Sequence, residues 1–269
     1  MKAVASKKRV MRLGSVSFLN ARPLIWGTEN DPDVKLVLNV PSRLLDGLRE
    51  GLFEVALLPV IDYQRQPGLR IVPVGGIGCD GPTLTVRLFS RVPVKRISRL
   101  ACDTDSHTSV ALARIVLAKR FGIRPELVDL LRGGGPTPEA QLLIGDKVVC
   151  EEPAGFEHQL DLGAAWKEMT GLPFVFAAWM SGARAQLGDV VARLDEAKRE
   201  GIRHVREIIE RHAVPRGWPA GVAFEYLTVY MKYDIGPREL EAIRLFHEMA
   251  AREGVIEGPV RDLDLYGRD

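Results

Sequence analysis

The stretch VKLVLNVPSRLLDGLREGLFEVALLPV, residues 34–60, decides the fold class. Val34 to Val40 is an apolar, β-branched run that predicts a strand. Pro41-Ser42 then opens a helix, Leu44 to Glu50, and Gly51 ends it. Glu54 to Val60, EVALLPV, is apolar almost throughout, as strands covered on both faces of a parallel sheet are. Upstream, Val10 to Val16 predicts an earlier strand, and a helix opens near Asn20, with Pro23 in its tolerant first turn. The order is βαβαβ, which implies an α/β fold with right-handed crossovers.

Downstream the pattern changes. Residues 69–90 hold two strand-like runs around a Gly-rich turn, with Thr83, Thr85 and Arg87 alternating with Leu84, Val86 and Leu88. Period-two alternation places the polar set on one strand face. RLACDT then predicts a strand and SHTSVALARIVLAKRFG a helix. Glu126 to Leu131 reads as a short strand, Pro138 to Leu143 as a short helix and Asp146 to Glu152 as a buried strand. A helix and a strand follow from Gly163 through PFVFAAWM. Asp189 to Ala213 reads as one long amphipathic helix, Ala220 to Tyr233 as a second helical segment and Pro237 to Glu253 as a third. The layout predicts two α/β lobes: residues 1–90 plus 179–269, and residues 91–178. Crossings near 88–95 and 176–183 would form a hinge beside a central cleft.

Composition narrows the partners. The 269 residues are 46% hydrophobic, and 37 Lys and Arg stand against 35 Asp and Glu, a net charge of +2. That balance points to neither nucleic acid nor membrane. The three cysteines, Cys79, Cys102 and Cys150, are widely spaced, which disfavours a disulfide framework and a zinc site and fits a reducing cytoplasm. The basic N-terminus lacks the apolar run of a signal peptide. No apolar stretch approaches the roughly 20 residues of a membrane span. A cytoplasmic location is therefore expected.

Four stretches would face the cleft, since ligands bind beyond the carboxyl ends of parallel strands. In SVSFLNARPL, Asn20 is either a helix cap or a ligand-contacting amide, with Ser17 beside it. In CDTDSHTSVALARI, Ser106, Thr108 and Ser109 cluster with His107 at a helix start. Capping by Ser106 or Asp105 explains one hydroxyl, and an anion site at the helix N-terminus explains all three. Thr83 and Thr85 are either half-buried strand residues or cleft hydroxyls. Asp146 is either a turn residue or a base. No GxGxxG follows the first strand, the GGIG and RGGG runs lack the right flanks, and there is no GxxxxGK[ST], HExxH or GxSxG pattern, so dinucleotide, P-loop, zinc-protease and hydrolase-elbow chemistry have no support.

The ordered set SVSFLNARPL, PSRLLDGLREGLFEVALLPV, GCDGPTLTVRLFS, DTDSHTSVALARIVLAKRFG, LLIGD, DLGAAWKEMTGLPFVFAAW and YMKYDIGPRELEAIRLF covers nearly the whole chain. In this it resembles the chorismate dehydratases of the futalosine-type menaquinone pathway. The resemblance implies the two-lobed, type II periplasmic-binding-protein-like fold without a secretion signal. It also implies a lyase that removes water from chorismate to give 3-[(1-carboxyvinyl)oxy]benzoate, with no cofactor and no metal. By the same resemblance Asn20 and Thr85 are the catalytic candidates, with Thr85 standing where relatives carry Ser. Ser17, Ser42, Ser106, His107, Thr108, Ser109 and Asp146 are the substrate-binding candidates. The expected partner is a small dicarboxylate, chorismate, with a homodimer as the assembly open to the chain. Two other classes compete. The sibling naphthoate-forming enzyme of the pathway uses a His after the segment that reads KVVC here, where this chain has Cys150 and Glu151. A non-catalytic anion binder, a solute-binding protein or a regulator's effector lobes, would show a secretion signal or a DNA-binding helix-turn-helix.

Overall fold

The computed structural model describes residues 10–103, 106–130, 138–151 and 153–267, with every side chain among them except that of Ser42. In chain order the strands and α-helices are β1 (Met11–Ser15), β2 (Val34–Leu38), α1 (Pro41–Arg49), β3 (Val55–Pro59), α2 (Val60–Arg65), β4 (Leu69–Cys79), β5 (Val86–Ser90), β6 (Arg99–Cys102), α3 (His107–Phe121), β7 (Glu126–Asp129), β8 (Ala140–Ile144), α4 (Asp146–Cys150), β9 (His158–Asp161), α5 (Leu162–Thr170), β10 (Phe174–Gly182), α6 (Val190–Arg203), α7 (Val205–Ile208), α8 (Ala220–Glu225), β11 (Met231–Lys232) and α9 (Pro237–Arg252). The expected Asp105 cap, the end of the strand predicted to reach Leu131 and the Gly-rich run at 132–135 lie outside the described residues.

The strands form two sheets. The first has the order β11-β4-β10-β3-β1-β2 and the second β7-β6-β8-β5-β9. In the first, β1 is parallel to β2 and β3, whereas β10 runs antiparallel between β3 and β4. In the second, β6 is parallel to β7 and β8, and β5 is antiparallel to β8 and β9. Each sheet is thus a parallel set with a returning strand inserted. The division at residue 90 gives way to the pairing: β5 hydrogen-bonds wholly within the second sheet, and β10 belongs to the first from Phe174 onward. The chain therefore crosses between sheets at 80–85 and again after β9, earlier than the crossings near 88–95 and 176–183 that the layout of elements predicts.

Local signals explain most elements. Pro41 occupies the first turn of α1, and Gly51 at φ 72° follows its end. Ser106 caps α3 by accepting from Ser109 N–H, and Gly122 closes it at φ 70°. Asp161 caps α5 by accepting from Ala164 N–H. Trp166, Phe174 and Phe246 meet edge to face, with ring centroids 5.1–6.2 Å apart, and join α5, β10 and α9 into one core.

Several elements depart from expectation. Residues 140–144 form a strand, because AQLLI is wholly buried between β5 and β6, and that tertiary context overrides its helix formers. Asp146–Cys150 is a short helix rather than a strand, since Gly145 at φ 65° ends β8 and turns the chain. The long helix expected to Ala213 breaks at His204 and continues through α7 into a π-helical turn at Ile209–Ala213. The segment after Ala220 passes from α8 into a π-helical turn at Tyr226–Tyr230 and ends in β11. Among the described residues no helix is long and apolar enough to cross a membrane.

Candidate functional site

A cleft enclosing about 630 Å³, open solvent included, lies between the sheets. From the first sheet it takes Phe18 and Asn20 beyond β1, Pro41 beyond β2, and Leu57 and Pro59 at the end of β3. The second sheet supplies Thr83, Thr85, Ser106, Ser109 and Gly145, beyond β6 and β8 or just before β5. The carboxyl ends of both parallel sets therefore meet at the cleft, as open α/β sheets require.

Asn20 is not a cap. The 3₁₀ helix Leu19–Ile25 begins after Phe18, whose side chain makes no capping bond. The Asn20 amide instead hydrogen-bonds the Tyr226 hydroxyl, and its Oδ1 is buried without a protein partner among the described residues. The Tyr226 hydroxyl lies 2.9 Å from Thr85 Oγ1. Burial pushes the Tyr226 phenol well above its ordinary pKa, with the bonds to Thr85 and Asn20 opposing. Tyr226 is thus a neutral phenol. In the Thr85–Tyr226 pair either hydroxyl can be the donor, and the arrangement with Tyr226 donating leaves the Thr85 hydroxyl proton for the cleft.

Thr83 and Thr85 do not share a regular strand face, because β5 starts only at Val86. Thr85 N–H bonds Thr83 C=O at 2.8 Å, and Leu84 between them has φ 65°. This is a γ-turn, and it aims both threonines into the cleft. Thr83 Oγ1 is buried and has no protein partner among the described residues.

Ser106 and Ser109 line the cleft with their hydroxyls 2.8 Å apart. Ser106 both caps α3 and faces the cleft, so capping and exposure to a ligand coexist in one residue. Thr108 points away: its Oγ1 accepts from Ile61 N–H at 3.5 Å, at the seam between α2 and α3. The Nδ1–H of His107 donates to the buried Asp62 at 3.0 Å, and the ring lines a separate pocket beside Arg65 and Arg114. Ser17 is exposed, and its carbonyl accepts from Arg216 at 3.0 Å. Asp146 accepts from Trp218 Nε1 at 2.9 Å and pairs with Arg216 at 3.4 Å, so its carboxylate serves packing. Trp218 in turn stacks on Tyr226 at 5.1 Å. Ser42 lies in α1, and its side chain lies outside the described residues.

Sequence reading missed Tyr226, Trp218 and Asp161. Tyr226 lies 141 residues from Thr85 in the chain, and only the fold brings them together. Among the described residues no group of three His, Cys, Asp or Glu could hold a metal ion.

Comparison with known proteins agrees with this geometry. A protein from Archaeoglobus fulgidus superposes with a TM-score of 0.71 at 18% identity, covering 93% of this chain and 99% of that one. The periplasmic aliphatic sulphonate binding protein SsuA of Escherichia coli gives 0.67 at 15% identity, covering 98% and 96%. The fold is therefore that of the periplasmic binding proteins, as expected. A chorismate dehydratase from Thermus thermophilus is 32% identical over 198 residues, which is 65% of this chain and 71% of that protein. A family model described as menaquinone biosynthesis matches residues 11–252, and the chain belongs to that family.

Proposed function

We propose that this protein is a chorismate dehydratase, a lyase acting in menaquinone biosynthesis by the futalosine route in the cytoplasm. The observation that carries the reading is the buried Oδ1 of Asn20, without a partner among the described residues, in the cleft of a chain whose 32% identical relative is a chorismate dehydratase. A buried carbonyl oxygen without a partner costs free energy until a ligand hydroxyl or N–H meets it.

Chorismate is a dianion. Loss of its ring C–H proton and the neighbouring hydroxyl as water forms the new ring double bond, and aromatisation drives the reaction. The enzyme must bind two carboxylates, align the C–H and C–O bonds and stabilise the charge that develops. Asn20 Oδ1 accepts from the leaving hydroxyl, and the Thr85 O–H donates to its oxygen as the C–O bond lengthens. Ser106, Ser109 and the first free N–H groups of α3 hold one carboxylate, favoured by the helix dipole. The cleft's apolar walls, Leu57, Ile77 and Phe176 among them, cover the ring and exclude water. His107, Thr108, Ser17 and Asp146 support the seams around the site. Closure of the lobes about the crossings at 80–85 and 171–173 completes it.

The test is direct. Incubation of the purified protein with chorismate, followed by mass spectrometry, should show a product lighter by one water with the ultraviolet spectrum of a benzoate. Unchanged chorismate overturns the proposal and leaves a binding protein.

A further inference from the structure

We propose that Asp161 is a positioning residue for this cleft: it holds Leu84 in the left-handed region so that Thr83 and Thr85 both present their hydroxyls to the substrate. The inference rests on the reading of the cleft given above.

Leu84 is the one non-glycine residue with positive φ among those described, at 65°. A leucine there is strained and persists only where its surroundings over-determine it. The surroundings here are the Asp161 carboxylate. Oδ1 and Oδ2 accept from Thr83 N–H at 3.0 and 3.1 Å, and Oδ2 accepts from Leu84 N–H at 2.9 Å. The donors lie 78 and 77 residues away in the chain. Capping of α5 accounts only for the further bond from Ala164 N–H at 3.0 Å.

The packing agrees. A Cβ on Gly163 would lie 2.6 Å from Gly81 O, 2.7 Å from Cys79 Sγ and 3.1 Å from Thr83 Cβ. The first turn of α5 is therefore pressed onto the 79–83 crossover and cannot drift from it. The strained turn has a geometric consequence. In an extended strand, residues two apart are about 6.5–7 Å apart along one face. The γ-turn folds Thr83 back on Thr85, so both line one cavity, Thr83 with its Oγ1 buried and without a partner among the described residues.

Asp161→Asn and the double variant Asp161→Asn, Leu84→Gly test this. Asn retains the cap of α5 but lacks the second acceptor oxygen. Glycine takes positive φ without strain. Asp161→Asn should lower kcat/KM for chorismate by about tenfold or more, and the double variant should recover most of that loss. In a crystal structure of Asp161→Asn, Leu84 should leave the positive-φ region. An unchanged kcat/KM, a double variant no better than the single one, or Leu84 kept at positive φ would each overturn the inference. A wild-type protein inert toward chorismate overturns the chorismate reading alone. The Leu84 backbone in the Asp161→Asn crystal then decides the positioning role by itself, by the same criterion.

Discussion

The hydroxyls of Thr85 and Tyr226 lie 2.9 Å apart and join the segments that lead into β5 and β11. Thr85 immediately precedes β5, and Tyr226 opens the π-helical turn that leads to β11. Tyr226 also takes the Asn20 hydrogen bond, so one phenol links both catalytic candidates. Tyr226→Phe keeps the ring stacked on Trp218 and deletes only this link. The Asn20 N–H and the Thr85 hydroxyl then lose a buried partner, at a cost of about 1–3 kcal/mol. The expected result is a folded protein with a somewhat lower Tm and kcat reduced about tenfold or more, a barrier increase near 1.4 kcal/mol. Steady-state kinetics and thermal unfolding on the same preparation check it.

Asn20→Ala separates the two roles that the sequence left open. A helix cap lost to Ala costs about 0.5–2 kcal/mol and leaves chemistry alone. Asn20 makes no capping bond, because the helix starts from Phe18. The expected outcome is therefore kcat lowered by about a hundredfold, on the scale of losing a donor or acceptor that meets developing charge, with a minor change in Tm. Asn20→Asp places a carboxylate beside a dianion and should raise KM as well. Retained turnover in both variants would remove Asn20 from the mechanism.

The sequence carried the fold where periodicity and punctuation agree. Pro41, Gly51, Ser106 and Gly122 mark helix ends that the structure keeps. It failed where burial outweighs local preference. AQLLI at 140–144 contains helix formers yet pairs as a strand on both sides. The cleft hydroxyls Ser106 and Ser109 were legible because polar residues at helix starts beyond strand ends face ligands in α/β folds. Tyr226 and Asp161 were not, because neither sits in a local pattern that differs from packing or capping. The γ-turn at Leu84 was hidden for a related reason: the alternation of TLTVRL looks the same whether its first residues continue a strand or fold back.

His247 gives the stability a defined pH dependence. It is buried on α9, accepts from Gln64 Nε2–H through Nδ1 at 3.0 Å and donates from Nε2 to Val60 O at 2.8 Å. Burial lowers its pKa to about 4, against a partial opposing effect of the Val60 bond. The unfolded chain takes up this proton near pH 6.5, whereas the folded protein resists until about pH 4. Between those values the unfolded state binds more protons, so stability falls as pH falls through that window. The contribution is on the order of 3 kcal/mol across the window. Urea unfolding at pH 7 and pH 4.5 should show the loss, and His247→Gln should show a smaller one. Equal pH slopes for the two proteins would assign the loss elsewhere.

The cleft lining points to the source of the base. Its described residues are apolar or carry hydroxyls and the Asn20 amide, with no Asp, Glu, His or Lys among them. Asp146 is engaged by Trp218 and Arg216, and His107 by Asp62, both away from the cavity. The substrate itself carries a base: the enolpyruvyl carboxylate, tethered through an ether oxygen to the carbon that loses its proton. An intramolecular base held in reach acts at high effective concentration. The carboxylate accepts the ring proton while the hydroxyl leaves against Thr85 and Asn20, and the proton departs with the water. A chorismate analogue lacking that carboxylate should bind and not turn over. The kcat profile for chorismate should stay flat from about pH 5.5 to 8, because the carboxylate titrates below that range, near pH 4. Turnover of the analogue at the ordinary rate, or a kcat that falls with a pKa near 6.5, would place the base on the protein.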